Sequence, residues 1–248
     1  MNREAQGVVL FLLGGAILRI SVTDVYLRYV KAGLRPFLIV AGVLLVVIAC
    51  VTLYREVFRR SPAEDGGAAH PETHSTDGTH AHAHGGPRVA WLLLLPVFAI
   101  FLVGPPALGS YAASRGGTSV AKHSDYPPLP AGDPVTVTVL DYASRAVWDR
   151  GVSLTDRRVR VTGFVSPRPG GGTYLTRMVL TCCAADGRPV KVGLSGQAPE
   201  GLAADTWVEV VGRYDPRTDK DRANDETIPY LEVESLRVVP EPVQPYEQ

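Results

Sequence analysis

The stretch "RRVRVTGFV", Arg157 to Val165, alternates valine with polar residues at Val159 and Val161 and then meets Gly163. Alternation with period two marks a half-buried strand, and a glycine inside such a strand marks a bend or a close approach of backbone. The same form returns in "VEVVG", Val208 to Gly212. Beside them lie "TYLTRMVLTCC", "PVKVGLSG" and "PYLEVESLRVV", each bounded by turn residues. A run of about five closely spaced strands predicts a small barrel or sandwich, and the glycines of its curved strands favour a barrel of the OB type. Upstream, "GDPVTVTVLDY" reads as one more strand through Val135, Val137 and Val139, and "ASRAVWDRG" as a short helix.

The amino-terminal half has a different grammar. Pro36 to Tyr54 carries no charge over 19 residues, close to the roughly 20 that a membrane-spanning helix needs. Val89 to Ser114 is longer still, with Pro96 inside it, which bilayer helices tolerate, and Pro105 and Pro106 at its end. A first apolar block from Gly7 is interrupted by Arg19 and Asp24. Arg19 has two readings, a side chain snorkelling to the interface near a helix end or a charge pairing with a partner membrane protein. The fold class is thus membrane α plus all-β: two transmembrane helices over 1–58, a His-rich disordered loop over 59–88, a third transmembrane helix over 89–114, a linker over 115–133 and an OB-like barrel over 134–248. Arg3, Arg55, Arg59, Arg60 and Arg88 outnumber the Arg28, Lys31 and Arg35 of the first loop. Positive short segments stay cytoplasmic, so the barrel is expected outside a multi-pass protein.

Five of the six histidines, His70, His74, His80, His82 and His84, fall in the polar loop. Neutral imidazoles suit zinc, copper or nickel, and a tract without a preformed cage would act as a buffer that exchanges quickly. The other reading is a solvated linker.

"LTCCAADG", Leu180 to Gly187, sets two of the three cysteines side by side. On a continued strand Met178, Leu180 and Cys182 would share the inner face, and Arg177, Thr181 and Cys183 the outer one. Adjacent Cα atoms lie about 3.8 Å apart, below the roughly 4.4 to 6.8 Å of ordinary disulfides, so a bond between these neighbours would be strained. The turn-like "AADG" could bring Cys183 and Asp186 together or aim both thiols at one ion. Zinc takes about four ligands, so a partner would supply what these three residues do not. Structural cysteines, a metal site and thiol redox chemistry at Cys183 all stay open at this point. Cys50 lies within the second apolar run and reads as a small apolar residue.

Formal net charge is zero, and from Arg115 onward 16 Lys and Arg face 18 Asp and Glu. A single-strand binder needs a basic groove with stacked aromatics, so nucleic acid is not expected as a partner. No nucleophile elbow, phosphate loop or zinc-protease motif is present, which argues against an enzyme.

With its apolar start, His-rich segment, "RRVRVTGFV", "RMVLTCCAADG", "WVEVVGRY" and closing "PVQPY", the chain resembles the YcgQ-type bacterial membrane proteins, a family whose carboxy-terminal domain has no assigned function. The most specific part of that likeness is Arg177, Cys182, Cys183 and Asp186. The resemblance implies a non-catalytic accessory subunit of a multi-span permease in a bacterial membrane, concerned with metal supply, zinc first. Two other expectations compete with it: an envelope thiol-redox protein using Cys183, and a purely architectural anchor for another protein.

Overall fold

Valines that alternate along a chain bury one face, and a sheet of such strands must cover that face or close on itself. In the computed structural model, which describes residues 3–59, 106–197 and 201–248, the sheet closes. Strand β2 (Val159–Pro167) pairs antiparallel with β3 (Thr173–Val179), and β3 pairs antiparallel with β4 (Arg188–Gly196). β4 runs parallel to β6 (Thr227–Val238), β6 pairs antiparallel with β5 (Trp207–Lys220), and β5 returns to β2. This circuit is a five-stranded barrel, and two short strands extend it: β1 (Val135–Thr136) beside β2 and β7 (Tyr246–Glu247) beside β3.

The repeated valines line the inside. Val159, Val161, Val208 and Val210 are all buried, each worth about 1.5 to 3 kcal/mol relative to exposure. The glycines that follow them allow the curvature. A β-carbon on Gly163 would stand 2.7 Å from the Thr176 carbonyl oxygen, and one on Gly212 would collide with the Glu232 carbonyl. Register shifts between Val211 and Gly212, where β5 bends against β6.

One expected strand is mostly helix. Only Val135 and Thr136 of "VTVTVLDY" join the sheet, and helix α4 runs from Val139 to Trp148. Thr138 is its N-cap, its hydroxyl accepting the Asp141 N–H at 2.9 Å, and Val139, Tyr142, Ala143 and Ala146 then recur at helical spacing, all buried. A capped run with that period outweighs three alternating residues. The Tyr142 hydroxyl donates to the Tyr230 carbonyl, tying the helix to β6. Residues 116–133, which lead into the barrel, include the buried Thr118 and Leu129.

Contacts divide the chain into two units, Met1–Thr23 with Arg35–Pro105, and Asp24–Leu34 with Pro106–Gln248. In the first, helices α1 (Arg3–Val22) and α2 (Arg35–Arg59) pack through small residues. A β-carbon on Gly14 would lie 3.0 Å from the Gly42 carbonyl oxygen. Arg35 caps the end of α1, its Nε donating to the Ser21 carbonyl at 3.0 Å.

About three transmembrane helices were expected. Among the described residues one helix, Ala32–Glu56, is long and apolar enough to cross a membrane. The apolar part of α1, Gln6–Val22, is shorter, because the polar residues that follow it end the helix before it reaches the necessary length. Of the third apolar stretch, Val89 to Pro105 lies outside the described residues. Its remaining residues belong to the second unit, where they include helix α3 (Ser110–Arg115). The histidines His70, His74, His80, His82 and His84 also lie outside the described residues. Arg19 is exposed in the last turn of α1.

Candidate metal centre

β3 ends at Val179, before the cysteines, so the expected alternation does not reach them. Met178 and Leu180 are buried as expected, but Cys182 is exposed rather than pointing into the barrel, and Cys183 is half-buried. Arg177, expected on an outer face, is buried there beneath the carboxy-terminal tail: its Nη2 donates to the Gln244 carbonyl at 2.7 Å and its guanidinium lies 4.7 Å from the Trp207 ring centre. Burial pulls the Arg177 guanidinium below its ordinary pKa. Arg177 is thus a strut of the fold and does not join the cysteines.

The chain breaks from the strand because Asp186 gathers the turn around its carboxylate. Oδ1 accepts the Thr181 N–H at 3.0 Å, and Oδ2 accepts those of Cys182 at 2.8 Å and Cys183 at 3.4 Å. In return the Cys183 sulfur accepts the Asp186 N–H, a reciprocal cap on the 3-10 turn Ala184–Asp186. Such local bonds from an aspartate compete with the sheet ladder and end it.

A segment far away in sequence clamps this turn from outside. Lys31 N–H donates to the Cys182 carbonyl at 3.0 Å, Ala184 N–H donates to the Tyr29 carbonyl at 2.7 Å, and Val30 forms an antiparallel bridge with Cys183. The Tyr246 hydroxyl donates to the Arg28 carbonyl at 3.0 Å and accepts the Leu108 N–H at 2.7 Å. On the inner side, Leu180 N–H donates to the Glu247 carbonyl at 3.1 Å. Sequence reasoning missed Tyr29, Lys31 and Tyr246, whose roles are long-range main-chain pairing and leave no local periodicity.

The result is a compact donor set. The sulfurs of Cys182 and Cys183 stand 3.7 Å apart, and one ligand atom from each of Cys182, Cys183 and Asp186 lies within 4.8 Å of the others. Of the two expected courses, a continued strand that sends the sulfurs to opposite faces and a turn that brings them together, the backbone takes the turn. Electrostatics divide the three groups. The Asp186 carboxylate, and after it the Cys183 sulfur, push the Cys182 thiol up to about 11. The same thiol hydrogen bond, helped by the three backbone N–H groups, holds Asp186 below the usual carboxylate range. Asp186 is ionised and Cys182 is a thiol at neutral pH, so a metal ion entering here would displace a proton from sulfur.

Residues 5–119 match the DUF1980 N-terminal domain and residues 146–247 match the DUF1980 C-terminal domain. No curated protein matches the chain.

Proposed function

The chain belongs to the DUF1980 family, whose two domains it carries in order, and from that premise we propose a non-catalytic membrane subunit whose barrel, of OB type, takes up a zinc-class ion at Cys182, Cys183 and Asp186 and passes it to a permease. One observation carries this reading: two sulfurs 3.7 Å apart. Thiolates about 2.3 Å from one tetrahedral zinc lie roughly 3.8 Å from each other. The pair therefore matches the spacing of a loaded site, whereas a disulfide would need a separation of about 2.0 Å. Asp186 adds a carboxylate whose Oδ1 has a single N–H partner among the described residues and keeps lone pairs for a metal. Three protein ligands on an exposed turn leave a fourth position open, the coordination of an ion that is exchanged rather than locked in. The elevated thiol makes Cys182 itself a poor thiolate nucleophile.

The membrane arrangement follows the same line. Asp24–Leu34 and Pro106–Gln248 form one unit, which supports a reading in which both lie on the same side of a membrane. If α2 crosses, the chain must return before Pro106, and the part of the apolar 89–114 stretch that precedes Pro106 is our candidate for that return. With positive segments inside, the barrel is extracytoplasmic in a bacterial cell. The tract from His70 to His84 then lies on the cytoplasmic side as a buffer for the same metal.

Zinc affinity of the full-length protein, measured by chelator competition, tests the site. Loss in the Cys182→Ser, Cys183→Ser variant with retention in a variant lacking residues 68–86 is the expected result; unchanged affinity in the serine variant would sink the reading. Crosslinking in membranes tests the partner, and failure to co-isolate a multi-span protein removes the permease from it.

A further inference from the structure

A second polar pocket, of about 220 Å³, shares no residue with the cysteine turn. Four cationic side chains line it, Arg168, Lys191, Lys220 and Arg222, against two carboxylates, Asp219 and Asp221. Both carboxylates are already committed. Asp221 takes the Lys191 ammonium at 2.9 Å and the N–H groups of Thr118 and Ala223. Asp219 takes Arg168 Nη2 at 3.0 Å, the Tyr174 hydroxyl at 3.3 Å and the Lys220 N–H.

Two cations are in surplus. Lys220 directs its ammonium to the Asp225 carbonyl oxygen at 3.0 Å. Arg222 has no hydrogen bond or ion pair among the described residues, yet its Nη2 reaches across to the β2–β3 turn, 3.9 Å from where a β-carbon on Gly170 would stand. In the same pocket Lys191, only 6% exposed, has two partners, the Gly116 carbonyl and Asp221, for its three N–H donors. An unpartnered guanidinium and an ammonium with one donor unassigned thus line the same pocket, and a doubly charged anion with several acceptor oxygens would complete both.

We propose that this pocket binds a phosphate group, held by the Arg222 and Arg168 guanidinia together with the buried Lys191 ammonium. Guanidinium forks match the oxygens of a phosphate in pairs, which a lone ammonium cannot do. Two sources carry that chemistry, free phosphate and the headgroup of an anionic phospholipid.

The test is calorimetric titration of the full-length protein in neutral detergent and metal-free buffer, once with inorganic phosphate and once with a short-chain phosphatidic acid. Arg222→Gln is the principal variant, since an exposed, unpaired side chain is removed and the unfolding temperature should hold. Arg168→Gln is the second. Saturable one-to-one binding of either probe, weakened tenfold or more by Arg222→Gln and also by Arg168→Gln, supports the site. Binding of phosphate assigns a soluble anion, and binding of the phosphatidic acid alone assigns a headgroup. No saturable binding of either, or equal binding in Arg222→Gln, overturns the proposal.

Discussion

Lys191 and Asp221 on one side of the barrel, and Cys182, Cys183 and Asp186 on another, are both small polar clusters, yet they are finished to different degrees. The first buries an ion pair, with side chains 7% and 5% exposed, and all the bonds Asp221 makes run to the protein itself. The second commits its carboxylate to the backbone and leaves sulfur at the surface. A buried ion pair holds the fold together, and an exposed turn that presents sulfur is free to hold a metal.

That contrast is open to experiment. Asp221→Ala leaves the Lys191 ammonium buried without its partner and should cost about 3 to 5 kcal/mol, seen as a large fall in unfolding temperature; the folded fraction should still load zinc. Cys182→Ser with Cys183→Ser should do the reverse. Zinc affinity should drop by more than the ~100-fold typical of an outer-shell loss, while stability changes by less than about 1 kcal/mol, since the sulfurs are not in the core. Equal effects on folding and metal in either variant would erase the distinction.

Asp186→Asn should fall between the two. It weakens the cap on the turn by about 1 kcal/mol and loses a charged ligand, so a tenfold or greater fall in zinc affinity and a modest fall in unfolding temperature are expected together. The smallest effect is on acid stability. Burial pushes Asp221 and Asp215 up, but the Lys191 ammonium on one and Arg217 and the Ser195 hydroxyl on the other outweigh it and hold both carboxyls below the usual range. The unfolded chain, with carboxyls near 3.9, therefore binds more protons in this window. Their stabilisation is present above about pH 4 and is lost as pH falls through the depressed folded values. Glu247, raised by burial, opposes this with the opposite sign just above pH 4. Unfolding of Asp221→Asn followed between pH 3 and 6 should show a shallower acid slope than wild type, and an unchanged slope would show that the Lys191 pair does not set it.

The barrel was legible in the chain because its evidence is local. Val159, Val161 and Gly163, repeated at Val208, Val210 and Gly212, state both the buried face and the bend. The same alternation misled at Val135 to Val139, where a threonine cap starts a helix. The cysteine turn was legible as a grouping of residue types but not as geometry: a continued strand would have sent the two sulfurs apart, and the Asp186 carboxylate that breaks the strand acts through main-chain N–H groups that no side-chain pattern reports.

Composition and periodicity, which are properties of neighbouring residues, were sufficient for the five barrel strands, the buried valines of two of them and an apolar helix around Pro36 to Tyr54. Tyr29, Val30 and Lys31 clamping Cys182 to Ala184 across some 150 residues of chain, and Arg222 and Lys191 lining one pocket, came from packing alone. Closing a barrel joins ends that are distant in sequence, and the polar groups brought together there are chosen by that closure rather than by any local spacing.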